Sequence, residues 1–137
     1  MNRSVIIDQL IAHEGFRSNS YSCSAGRTTV GYGRNLTDVG ITKEEALILL
    51  DNDIATATED LEKLLKDSWK LPEIVQRVLV DMRVNLGPKR FRGFKKMIKA
   101  VEKKDFYQAA MEMQDSKWFG QVGKRGETLS NMMLKAI

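Results

Sequence analysis

One uninterrupted amphipathic run constrains this chain more than any other feature. Thr42-x-x-Glu45 has the form of a helix capping box. Apolar residues then recur at Leu47, Leu50, Ile54, Ala57, Leu61 and Leu64 or Leu65, in alternating steps of three and four. The spacing predicts a single helix over about 42–66, about 25 residues and roughly 37 Å long at 1.5 Å per residue. The whole chain has 137 residues, too few for two ordinary domains and enough for one real core. A helix that long therefore spans the molecule, with a small lobe at one end and a helical lobe at the other.

The flanking segments fill in those lobes. Val5, Ile6, Ile7, Leu10 and Ile11 fall at helical spacing, and Gly15 is a natural stop, which predicts a helix over 3–14 packed on the helical lobe. Glu14 extends its apolar stripe, an unusual place for a carboxylate. Residues 16–36 are rich in Ser, Gly, Thr and Tyr, and Ser24-Ala25-Gly26 reads as a turn between two short strands. Gly31 and Gly33 leave backbone bare, as where another group approaches closely. Beyond the long helix, Ile74 to Leu86, Phe94 to Val101, Phe106 to Met113 and Leu129 to Met133 each carry a helical stripe, with Gly87-Pro88 closing the first. Their Met and Phe residues read as core packing. The fold class is α+β and mostly helical: a small N-lobe over about 14–41, the connecting helix over about 42–66, and a helical C-lobe over about 70–137.

Composition excludes several functions. One Cys cannot form an intramolecular disulfide, and one Cys with one His cannot build a Cys/His zinc site, so no metal and no cofactor are expected. No apolar run approaches the roughly 18 residues of a membrane span, and Asp8 ends the first apolar stretch too early for a secretion signal. Synthesis as a cytosolic protein is expected, with no stable membrane association. The net charge is +4, and Lys89-Arg90-Phe91-Arg92-Gly93-Phe94-Lys95-Lys96 is the densest basic stretch. It raises a nucleic-acid-binding reading. Phe94, Met97 and Ile98 face a core at this spacing, which leaves the lysines on a solvated face, so nucleic acid is not expected as a partner. A basic surface also suits a substrate that carries carboxylates.

Glu14-x8-Cys23-x5-Thr29 is the constellation with chemical content. A turn at 24–26 folds Thr29 back toward Cys23, and both can then face the end of the first helix. Glycosidic hydrolysis needs such a set: an acid for the leaving oxygen and groups opposite it that hold water. Spacing alone leaves the plain reading open, in which Glu14 is a helix-end carboxylate, Cys23 a small buried hydrophobe and Thr29 a strand residue.

Glu14-Gly15-Phe16-Arg17, Tyr21, Gly26, Thr29-Val30-Gly31-Tyr32-Gly33 and Leu36-Thr37 together resemble the phage-type lysozymes, the T-even phage muramidases of glycoside hydrolase family 24. Ile41 to Ala46, Asn85-Leu86-Gly87 with Phe91 and Phe94, Asp105 to Ala110, Ser116 to Phe119, Gln121 and Arg125 continue the resemblance in order through essentially the whole chain. It implies a lysozyme-like fold with the substrate between two lobes. This chain is shorter than the T-even phage enzyme, and the missing length falls near Thr37 to Gly40, which implies a reduced small lobe.

The resemblance makes Glu14 the general acid, with Thr29 and residue 23 holding the attacking water. Most of the family have Asp at position 23; some, like this chain, have Cys. A thiolate replaces a carboxylate only if its pKa falls from about 8.5 toward neutrality, a shift that Arg27 or Arg34 is placed to supply. Otherwise neutral Cys23 positions water. Water attack with inversion is favoured over a glycosyl-Cys intermediate, whose thioglycoside hydrolyses sluggishly. Arg125 stands where the family pairs an Arg with the acid. Asn85 matches a sugar-facing amide position, with helix capping beside Gly87 as its other reading. Asn35 and Tyr32 lie on the strand rim, with a structural role also open to Tyr32. Tyr21 reads as hairpin packing, His13 as surface, and Trp69 and Trp118 as core or lobe-edge anchors.

The implied activity is an endolysin-type muramidase cutting the β-1,4 bond between N-acetylmuramic acid and N-acetylglucosamine in peptidoglycan glycan strands. The chain is expected to be monomeric, and a separate holin would release it to the wall. A catalytically impaired homologue that binds peptidoglycan is the alternative; a basic helical nucleic-acid module is a further one.

Overall fold

The computed structural model describes residues 1–137. It has eight α-helices and a three-stranded antiparallel sheet, the α+β, lysozyme-like class expected. Two compact units divide the chain, Met1–Ile48 and Leu49–Ile137. The division falls inside the long helix α2, Lys43–Leu64.

In the first unit, α1 covers Arg3–Glu14. The Asn2 side chain accepts from the Ser4 and Val5 backbone N–H groups and so caps its start. Gly15 ends it at φ 68° and donates its N–H to the Ile11 carbonyl at 3.0 Å. No residue of α1 is buried, and Val5, Ile7, Leu10 and Ile11 are all exposed. The sheet follows in the order β1 (Arg17–Ser22), β2 (Thr28–Gly31) and β3 (Arg34–Asn35). The β1–β2 turn lies where Ser24-Ala25-Gly26 predicts it, closed by a 2.9 Å bond from the Gly26 N–H to the Cys23 carbonyl.

The capping box forms in both directions. The Thr42 N–H donates to Glu45 Oε1 at 2.8 Å and the Glu45 N–H to Thr42 Oγ1 at 3.1 Å. Arg34 adds a two-pronged bond to the same carboxylate, at 2.9 and 2.6 Å, and donates to the Gly40 carbonyl. The Arg34 guanidinium, followed by the Thr42 N–H, lowers the Glu45 carboxyl to about 2. The start of α2 and the edge strand β3 are thereby tied through one side chain.

The second unit holds the core. After the α2 remainder and a 3₁₀ turn at Ser68–Lys70 come α3 (Glu73–Leu86), α4 (Pro88–Arg92), α5 (Lys95–Glu102), α6 (Phe106–Gln114), α7 (Lys117–Val122) and α8 (Lys124–Leu134). Val75, Val78, Leu79, Met82, Phe91, Met97, Met113 and Met133 are buried together, so the Met and Phe stripes read as core do pack there. One polar cluster sits among them. Asp60 on α2 is 7% exposed and takes Arg83 Nε at 2.8 Å and Arg92 Nη2 at 2.7 Å. Burial pushes its carboxyl up, and the Arg83 and Arg92 guanidiniums more than reverse that, leaving it below its ordinary value. The two tryptophans part company: Trp118 is 3% exposed, whereas Trp69 is 67% exposed and is not the core residue its reading as an anchor allows. Its place in the 3₁₀ turn sets Ser68 inward and the indole outward.

Candidate active site

Strand register builds the first part of the site. Tyr21 pairs with Thr29 and Ser22 with Thr28 across β1 and β2. One step further, the Cys23 N–H donates to the Arg27 carbonyl at 2.8 Å. Residues two apart on a strand share a face, so Cys23 lies on the face of the Tyr21–Thr29 pair and diagonal to Thr29. Thr29 is buried and Cys23 half-buried. The backbone N–H groups of Arg27 and Ala25, in that order, hold the Cys23 thiol below its ordinary value. Burial opposes them, while the Thr29 hydroxyl and the Arg27 guanidinium assist. N–H groups in a turn can hold an anion, and here those of Arg27 and Ala25 come before the Arg27 charge among the causes. Arg34, the other candidate, spends its guanidinium on Glu45.

Glu14 is exposed at the end of α1 and meets the turn between β2 and β3. Gly33 stands there at φ 79°, and a Cβ added to it would fall 2.7 Å from the Glu14 carboxyl carbon. The bare glycine seats the carboxylate, the close approach expected of Gly33; at Gly31 nothing comes within 4 Å of an added Cβ. The Gly33→Ala change meets both a strained backbone and an occupied space. It should lower wall-clearing activity by about tenfold or more, since small misplacement of a catalytic group is costly, with the clearing rate of purified walls as the measurement.

The remaining candidates have clear places. Asn35 Nδ2 donates to Asp38 Oδ2 at 2.8 Å and its Oδ1 accepts the Asp38 N–H at 3.1 Å. Its amide thus closes the turn after β3. Asp38 also pairs with Arg27, and Thr37 Oγ1 accepts the Thr28 N–H at 2.9 Å, so this turn braces the strand that carries Thr29. Tyr32 is exposed and packs its ring on Phe16 at 5.5 Å. In the second unit Asn85 Oδ1 accepts from Trp118 Nε1 at 2.8 Å, and Gly87 rather than Asn85 caps α3. Trp118 in turn meets Phe94 edge-on at 6.1 Å. Arg125 binds Asp81 through Nε and Nη2 at 2.8 and 2.6 Å, so its guanidinium in this structure is held by Asp81. His13 is exposed, as expected. Asp38, Asp81 and Trp118 as the partner of Asn85 are positioning contacts that residue spacing did not single out. No group of three or more His, Cys, Asp or Glu side chains is arranged to hold a metal ion, and no helix is long and apolar enough to cross a membrane.

The α+β scaffold, with a carboxylate at a helix end and a threonine and a cysteine on one face of the sheet, fits the glycoside hydrolases of the lysozyme class. Residues 11–133 match the phage lysozyme family. The chain belongs to that family and is a lysozyme-type peptidoglycan hydrolase. It is similar to "Probable T4-type lysozyme 1" of Dictyostelium discoideum, 26% identical over 163 aligned positions that take in 98% of this chain and 94% of the relative. It is also similar to "Endolysin" of Acyrthosiphon pisum secondary endosymbiont phage 1, 45% identical over 58 residues, 39% of each chain.

Proposed function

We propose that this chain is an endolysin-type muramidase that cuts the β-1,4 bond between N-acetylmuramic acid and N-acetylglucosamine, with Glu14 as the acid and Cys23 and Thr29 as the holders of water. Glu14 gives its proton to the glycosidic oxygen as the bond from that oxygen to the anomeric carbon breaks. A water molecule, accepted by the Thr29 hydroxyl and the Cys23 sulfur, adds its oxygen to the anomeric carbon from the opposite face. Its proton passes to the thiolate, and the anomeric configuration inverts. Solvent then returns a proton to the Glu14 carboxylate and removes one from the thiol. The Asn85 amide, oriented by Trp118, offers its N–H to an acetamido carbonyl, while the Arg125 guanidinium rests on Asp81. Asn35 supports Thr29 through its turn, and Tyr32 contributes a sugar-facing rim.

The observation that supports this most is the thiol itself, turned toward Thr29 in a turn whose N–H groups favour its anion. The chain has one cysteine, so alkylation tests a single site. Complete carboxamidomethylation of Cys23 is expected to slow wall clearing by about a hundredfold, in the range of removing a general base. Full clearing by fully alkylated protein would remove Cys23 from the reaction. A protein acting in this way works as a monomer on peptidoglycan strands, released to the wall from the host cytoplasm by a separate holin.

A further inference from the structure

A groove in the second unit, lined by neither Asn85 nor Arg125, lies where α2 ends and α5 stops. It encloses about 600 Å³. Four exposed lysines, Lys63, Lys66, Lys70 and Lys104, stand on its rim, against two acids, Asp67 and Glu102. Its floor is apolar, with Leu64 and Leu71 partly buried and Val101 fully so.

Two further observations fall on this groove. The only non-glycine residues in the left-handed region, Asp67 at φ 57° and Lys104 at φ 58°, both belong to its wall. Lys104 takes the place after α5 where glycine is ordinarily favoured, so the chain keeps a charged side chain there against backbone preference. Next to the groove stands Trp69, 67% exposed, with Lys70 Nζ 5.2 Å from the centre of its ring.

We propose that this face, Trp69 with the lysine-rimmed groove, docks reversibly on an anionic phospholipid surface. Lysine stems lie along apolar material while their ammonium groups meet phosphates. An exposed indole beside them suits the headgroup level of a bilayer, where an apolar ring with a polar N–H is favoured. A soluble polyanion explains the lysines and leaves both the apolar floor and the bare indole without a partner. Four lysines against two acids make the contact salt-sensitive rather than permanent. The inference does not depend on the muramidase reading, since none of these residues takes part in it.

Trp118 is buried, so a change in tryptophan emission on binding reports Trp69. The intact chain is titrated with vesicles of phosphatidylglycerol and phosphatidylcholine, and with phosphatidylcholine alone. Emission should shift to the blue with the anionic vesicles only and return when salt is raised. The triple change Lys63→Gln, Lys66→Gln, Lys104→Gln should weaken vesicle binding by on the order of a hundredfold while clearing at saturating concentrations of purified walls stays at the wild-type rate. Trp69→Phe should abolish the spectral shift and leave most of the cosedimentation. Absence of the shift with anionic vesicles, or equal binding by the triple variant, would overturn the proposal. Binding of soluble polyphosphate as tightly as of vesicles would also overturn it in favour of a general polyanion site.

Discussion

Glu14→Gln should reduce the release of new reducing ends from purified peptidoglycan by at least about a thousandfold, near the upper range for a lost general acid. The amide is nearly the same size as the carboxyl and cannot give up a proton to the glycosidic oxygen. Glu14 is exposed, and its carboxylate occupies the space that a Cβ on Gly33 would take. Nothing in that arrangement makes folding depend on the carboxylate, so the melting temperature should hold within the small range of surface changes. Activity and stability therefore separate in one variant. Sugar binding should persist, because the amide still fills the seat on Gly33. A variant that clears walls at the wild-type rate would take Glu14 out of the chemistry.

Asp60→Ala should have the opposite profile, with the largest loss falling on stability. Asp60 is the one carboxylate buried in the helical unit, and it answers two guanidiniums. The Arg83 side chain is 11% exposed and the Arg92 side chain 52% exposed. Removing the carboxylate leaves the buried Arg83 guanidinium without its partner, which costs about 3 kcal/mol. For a chain of this size that is a fall of roughly 10 °C in melting temperature. Arg92→Ala should cost much less, since its head reaches water and the remaining pair is intact. The pH dependence has a definite sign. The folded carboxyl lies below its ordinary value of 3.8, so its contribution is complete above that pH and is lost as pH falls below it toward the folded value. A variant melting within two or three degrees of wild type, on the order of a surface change, would show that the cluster is dispensable.

Those two sites also mark what residue order reveals and what it hides. The long helix was readable because its apolar period and its capping box point to the same start, and the observed helix begins one residue after Thr42. The turn at 24–26 was readable because small residues fall between two β-prone runs. Glu14 drew attention as a carboxylate on an apolar stripe. Gly33 was legible as a place of close approach, but not that Glu14 fills it, since the two meet only after the strand turns have been laid down. Asp60 hides within the stripe between Ala57 and Leu61, and its partners lie 23 and 32 residues further on. Arg125 finds Asp81 at a separation of 44 residues, a pairing that no local period encodes. The two tryptophans carried one reading, core or lobe-edge anchor, and only the structure divides it: Trp118 is in the core, and a 3₁₀ turn puts the Trp69 ring outside.

The division of labour between Glu14 and Cys23 is tested most directly by the anomeric form of the first product. Proton NMR on a soluble glycan-strand fragment, recorded before mutarotation, reads it within the first turnovers. Water attack opposite Glu14 yields the α-anomer from the β-linked strand. A β-anomer released first, with a transient sugar adduct on Cys23 in the protein mass, would contradict that and make the sulfur the nucleophile.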